Sequence, residues 1–130
     1  MSVDAGLRTI FRNYLPLFDW QAIETGSVGG GVPDLNGCYC GVEVWIEMKK
    51  AKHWRATIRP EQVGWAERRL DHGGRVFAAV RKSRDSLFLY HGSRLRDLCS
   101  TRLDVVPALG RWDSGPARWD WNEIARMLLA

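Results

Sequence analysis

The sequence predicts an α/β domain in which helices flank a mixed β-sheet, in the order helix, three strands, helix, two strands and a helical tail. Three observations carry that expectation. Residues 7, 10, 11, 14, 15 and 18 are Leu, Ile, Phe, Tyr, Leu and Phe, one apolar stripe at helical spacing. Val42 to Lys49 alternates with the period of a strand. A segment that opens on Pro60 and closes on Gly73-Gly74 carries the punctuation of a helix. With 130 residues, 45% of them hydrophobic, the chain suffices for one domain over 1–130 and leaves little room for a second.

The first helix covers the stripe from Leu7, and Pro16 shortens it. A short extended piece, Trp20 to Glu24, runs into Gly26-Ser27-Val28-Gly29-Gly30-Gly31, which no helix survives. From Pro33 to Lys49 two extended segments are joined at Cys40-Gly41. In the second, Val44, Ile46 and Met48 share one face, while Glu43, Trp45, Glu47 and Lys49 share the other. A polar, basic loop from Lys50 to Arg59 leads into the Pro60 helix, whose buried stripe is Val63, Ala66 and Leu70. Arg75 to Val80 and Ser86 to Tyr90 read as strands across a charged turn, and Ser93 to Cys99 as a short helix. Residues 20–91 form the core sheet and helix on this reading. The tail, 101–130, is expected to be helical near its end, where Asp120 and Glu123 make a capping-box pattern, while Pro107 to Trp119 has no period of its own.

Charge is unevenly distributed. Residues 1–46 hold 2 basic and 5 acidic side chains, net -3; residues 47–82 hold 10 and 4, net +6; residues 83–130 hold 7 and 6, net +1. A central basic block containing Lys49, Lys50, Lys52, Arg55 and Arg59 beside His53 and Trp54 suits a phosphate backbone. On charge alone, a solvated face on a mildly basic protein is the better reading. Trp54 is a candidate stacking contact, and Arg81 and Lys82 are candidate phosphate contacts. Nothing approaches the roughly 18 apolar residues of a membrane span, and the opening residues lack the basic start and apolar block of a signal peptide. A cytoplasmic protein without a membrane partner is the expectation. Cys38, Cys40 and Cys99 cannot all pair within the chain, and their spacing makes a poor zinc site, so all three are read as reduced and structural.

The chemistry-bearing text is Gly31-Val32-Pro33-Asp34 followed, after a spacer, by Glu47-Met48-Lys49. Phosphodiester hydrolysis calls for a hard divalent cation held by at least two converging carboxylates, with waters in its other positions. Coordination lowers the pKa of such a water, and a lysine beside it orients or deprotonates it. If the strand after Asp34 pairs antiparallel with the strand at 42–49, Asp34 lies at the level of Glu47 or Lys49, and the two acids meet. The main-chain carbonyl of Met48 is a further ligand candidate. Without Glu47 and Lys49, Asp34 after Pro33 would read as an ordinary turn residue.

At these residues the sequence resembles the PD-(D/E)XK nuclease superfamily, whose signature is a Pro-Asp, a spacer and an acid-x-Lys. The stretch Glu24 to Val80 is similar to one branch, the small stand-alone phage and prophage nucleases related to the VRR-NUC group. The matching features are Ile23-Glu24, the glycine-rich lead into Pro33-Asp34, Gly41 to Lys49, Arg59-Pro60-Glu61-Gln62 and Gly73-Gly74-Arg75-Val76-Phe77. The resemblance implies a restriction-endonuclease-like core, αβββαβ, around a central mixed sheet. It implies that Asp34, Glu47 and the Met48 carbonyl bind Mg2+ or Mn2+, with Glu24 as an upstream acid in the same shell. Asp4 and Asp19 stay open as alternatives for that acid. Lys49 handles the attacking water, and Gln62 faces the site; read from its own position, Gln62 fits a solvent-facing helix start equally well.

The expected activity is a magnesium-dependent deoxyribonuclease without a small-molecule cofactor, an endonuclease selective for branched or junction DNA. A chain this small has no room for a separate sequence-reading domain, so shape recognition or a homodimer supplies selectivity. The alternative is a nuclease-like fold that binds nucleic acid as an adaptor and does not cut it.

Overall fold

The computed structural model describes residues 4–24 and 30–130, and in it all six strands form one sheet whose spatial order follows the chain, β1 to β6. Helix α1 (Leu7–Tyr14) precedes β1 (Asp19–Ala22), β2 (Leu35–Tyr39) and β3 (Val42–Lys50); α2 (Pro60–Asp71) precedes β4 (Val76–Arg81) and β5 (Leu87–His91). A 3-10 turn, Gly92–Arg94, runs into the short α3 (Leu95–Leu98), then come β6 (Gly110–Trp112), a second 3-10 turn at Pro116–Arg118, and α4 (Trp121–Leu129). Every neighbouring pair is antiparallel except β3 and β4, which are parallel and joined through α2. A parallel pair requires such a crossover, because a tight turn cannot reverse the chain twice.

Alternation in β3 divides the molecule into two layers. Val44, Ile46 and Met48 enter a core with Leu7 and Phe11 of α1 and Ile124 and Leu128 of α4. Burying an aliphatic side chain of this size is worth about 1.5–3 kcal/mol, so this face holds both terminal helices on the sheet. On the opposite face, Val76, Ala78, Val80, Phe88 and Tyr90 pack against Val63 and Ala66 of α2 and Leu95 and Leu98 of α3. Trp45, Glu47 and Lys49 point to this second face by strand parity. Helix α2 begins where the sequence expects, with Pro60 at its first position, and ends before Gly73, which takes φ +83°.

Two expectations change, in the tail and at the cysteines. Pro107 to Trp119, which shows no period, contains β6, so the tail is a strand, a 3-10 turn and a helix and not helical throughout. A three-residue edge strand with one buried side chain, Trp112, is too short for alternation to register. The short helix expected over Ser93 to Cys99 forms, entered through the 3-10 turn Gly92–Arg94 and continued by α3 at Leu95–Leu98. Cys40 and Cys99 are exposed, at odds with a structural role; all three cysteines are free. The Asp120 cap forms as expected, its Oδ1 accepting from the Glu123 N–H at 3.0 Å. Of the glycine-rich stretch, Gly26 to Gly29 lies outside the described residues. Among the described residues, no helix is long and apolar enough to cross a membrane.

Candidate active site

The antiparallel register of β2 and β3 sets Leu35 against Ile46, which brings Asp34, one residue before β2, level with Glu47. Two bonds hold it there. Its carbonyl accepts from the Ile23 N–H at 2.8 Å, and its Oδ2 accepts from the Met48 N–H at 2.9 Å. The second bond shows that the Met48 N–H points toward Asp34; the carbonyl of a strand residue leaves on the same side as its N–H, so Met48 presents its oxygen to that edge as well.

Glu47 is 1% exposed. Its Oε1 accepts from Gln62 Nε2 at 3.0 Å and lies 3.7 Å from Lys49 Nζ, while its Oε2 is buried without a hydrogen-bond partner. Burial, reinforced by the neighbouring Asp34 carboxylate and opposed by Lys49 and Arg59, pushes the Glu47 carboxyl up to about 9 from 4.5. A buried carboxylate with one bare oxygen beside a second carboxylate is costly unless a proton or a cation completes it. The donor set is all oxygen: two carboxylates and a main-chain carbonyl. That set fits a hard divalent cation that retains several waters, such as Mg2+ or Mn2+. Among the described residues no group of three or more His, Cys, Asp or Glu converges in a way that could hold a metal, so the acids of this site number two.

Gln62 is buried in the first turn of α2. Its Oε1 accepts from the Arg59 N–H at 2.9 Å, which caps the helix and leaves Nε2 as the arm that reaches Glu47. The solvent-facing alternative is thereby removed. Gly31 sets the approach of the opposite wall: at φ +85° it packs on the start of α2, where any Cβ would overlap the Glu61 carbonyl.

Glu24 is not brought to this site. It is exposed and pairs with Arg8 of α1 at 3.3 Å, on the face opposite Glu47. Ile23 pairs with Asp34, so the next residue points to the other side of the sheet. Asp4 is also engaged by Arg8, at 2.9 Å, and Asp19 is exposed at the edge strand.

The basic residues separate into two groups. Lys50, Lys52, His53, Arg55 and Arg59 are exposed. Reciprocal main-chain bonds between Lys52 and Arg55 make a tight turn with His53 at φ +57°, and Arg55 Nη1 donates to the Ser100 carbonyl at 3.0 Å. Arg59 pairs with Glu61 at 3.4 Å. Arg81, by contrast, donates from its guanidinium to the carbonyls of Ala5 and Arg84, so it acts as an internal clamp. Lys82 reaches over the Trp54 ring, 4.6 Å from its centroid. Trp54 is no open stacking platform: it is half-buried edge-on against Phe88 and also carries Arg102 and Arg111 over its ring. Those two arginines come from the stretch after α3 and from β6. Lys50, Arg81, Lys82, Ser83 and Arg84 line a cavity of about 440 Å3 with Ala5.

No protein-family model and no curated protein matches the chain. Among solved structures it is similar to the Holliday junction resolvase Hjc of Archaeoglobus fulgidus, at a TM-score of 0.53 and 15% identity, over 66% of this chain and 74% of that one. The six-stranded mixed sheet, its flanking helices and this likeness together give the chain the restriction-endonuclease-like α/β fold.

Proposed function

We propose that the protein is a metal-dependent nuclease of the PD-(D/E)XK superfamily that hydrolyses DNA phosphodiester bonds, acting as a structure-selective endonuclease on branched or junction DNA. The observation that carries the reading is the Glu47 carboxylate, buried with a bare Oε2, level with Asp34 and flanked by Lys49 and Gln62. The likeness to a junction resolvase supports the choice of DNA and of branched substrates.

Asp34, Glu47 and the Met48 carbonyl would hold Mg2+ or Mn2+, which when bound supplies a water of lowered pKa and offsets charge on the phosphate. The chain's own part is positional and electrostatic. The Met48 N–H fixes one oxygen of Asp34, and Gln62 fixes one oxygen of Glu47, so both carboxylates are held before substrate arrives. Lys49, tethered 3.7 Å from Glu47, orients the attacking water and offsets the charge that builds on the phosphate. The exposed cations Lys52 and Arg59 with His53, in the loop between Lys49 and Gln62, take neighbouring phosphates, while Lys50 leaves β3 on the face opposite Lys49 and lines the cavity beside Ala5. A homodimer would set two such sites across two strands.

The test is incubation with supercoiled plasmid, single strands and a synthetic four-way junction in Mg2+ or Mn2+, beside Glu47→Ala and Lys49→Ala. Metal-dependent cutting by the wild type alone, strongest on the junction, is expected. Equal cutting by all three proteins overturns the assignment.

A further inference from the structure

Strand register connects the candidate active site to the far edge of the sheet. Lys49 pairs with Val80, Val80 with Phe88, and Phe88 with Arg111, so these four residues form a straight row across β3, β4, β5 and β6 on one face. Three strand spacings of ~4.8 Å separate Lys49 from Arg111 by about 14 Å. The loop after β3 crosses this row and seats Trp54 on Phe88.

At that end three cations converge on one indole. Lys82 Nζ stands 4.6 Å, Arg102 5.3 Å and Arg111 5.8 Å from the Trp54 centroid, and Arg111 also lies 4.8 Å over Phe88. They come from the β4–β5 turn, the stretch after α3, and β6. Two bonds pin that stretch in place: Leu103 N–H donates to the Trp54 carbonyl at 2.8 Å, and Tyr90 Oη donates to the Leu103 carbonyl at 2.7 Å. The carboxylates at hand are Asp104, bidentate on Arg102 at 2.9 Å, and Asp113, 3.7 Å from Arg111 and already accepting from Ser86 Oγ. Three like charges held by a π face against two acids focus positive potential outward, the arrangement that attracts a polyanion.

We propose that Lys82, Arg102 and Arg111, seated on Trp54, form a flanking phosphate-binding subsite for the DNA backbone. About 14 Å from Lys49, it lies outside the reach of the scissile phosphate itself and would take a phosphate further along the backbone. The subsite rests on the nuclease reading for its substrate, and it assigns a role to the stretch after Thr101 and to β6.

The test measures binding apart from cleavage. A labelled 30-base-pair duplex and a four-way junction are titrated by fluorescence anisotropy in EDTA across a series of salt concentrations. Removing one cation from a phosphate lowers the slope of log affinity against log salt by ~0.9, so Arg102→Ala/Arg111→Ala should lower it by about 1.8. Arg12→Ala/Arg126→Ala, which removes equal charge from exposed positions on α1 and α4, should leave the slope at the wild-type value. Arg111→Lys, folded and with its charge kept, should also retain the wild-type slope. A wild-type slope in the Arg102→Ala/Arg111→Ala protein, or an equal fall in the Arg12→Ala/Arg126→Ala control, overturns the subsite. If that slope is unchanged while the wild type still cuts DNA, the subsite fails and the nuclease reading stands. If it falls as expected while the wild type cuts nothing in Mg2+ or Mn2+, the subsite stands and the nuclease reading fails.

Discussion

The Gln62 side chain donates from Nε2 to Glu47 Oε1 at 3.0 Å, so the residue that caps α2 through its other end also holds the central carboxylate of the site. Helix start and candidate metal ligand are one unit. Gln62→Leu leaves a buried carboxylate oxygen and the Arg59 N–H unpaired, a loss of about 1–3 kcal/mol for each buried group. Urea unfolding should show that loss, and cleavage should fall with it. Gln62→Glu should be less stable than wild type in EDTA, from a third carboxylate against Glu47, and should regain part of the difference in Mg2+. A Gln62→Leu protein with wild-type stability would contradict the bond.

The Glu47 carboxyl gives the metal-free protein a pH-dependent stability of a definite sign. Its value rises from 4.5 to about 9 on folding, chiefly by burial, so between those limits the folded state holds a proton that the unfolded state releases. Stability is then fully present below about 4.5 and declines as pH rises through this window. Urea midpoints in EDTA should fall from pH 5 to pH 9. Glu47→Gln, which cannot ionise, should flatten that fall.

Cation binding should stabilise the fold through Asp34 and Glu47. At a hundred times its Kd, a ligand that binds only the folded state adds about 2.7 kcal/mol. Wild type should gain thermal stability in Mn2+ and show binding heat in calorimetry, and Asp34→Ala should lose both. A binding heat undiminished in Asp34→Ala would place the cation elsewhere.

Arg81 is assigned to the fold. Its guanidinium ties the carbonyl before α1 to the β4–β5 turn through Ala5 and Arg84. Arg81→Ala should cost about 1.5–3 kcal/mol in urea unfolding, the range for hydrogen bonds to a charged group. The salt dependence of DNA binding should be unchanged.

Much of the centre of the molecule is legible in the sequence because its signals are local. The alternation of Val44, Ile46 and Met48 against Trp45, Glu47 and Lys49 follows from the two-residue period of a strand, and the observed faces agree. Pro60 and Gly73-Gly74 bound α2 by backbone chemistry alone. The failures share a cause in tertiary context. Glu24 is adjacent to the right strand but one residue out of phase with Asp34, so it turns to Arg8. Arg81 reads as a surface cation until the carbonyls it serves are in place. Arg102 and Arg111 carry no local pattern, because β5 pairing and the Leu103 tether bring them to Trp54.

Strand order that follows chain order has a consequence for how such a protein diversifies. Asp34, Glu47, Lys49 and Gln62 come from one hairpin and the helix after it, an uninterrupted stretch between positions 34 and 62. Contacts within it are short in sequence, so it can assemble early and without waiting for either terminus. Exposed positions of β1 and of the terminal helices can then drift or lengthen, while the faces those helices bury against β3 and the segment bearing the candidate site are inherited together.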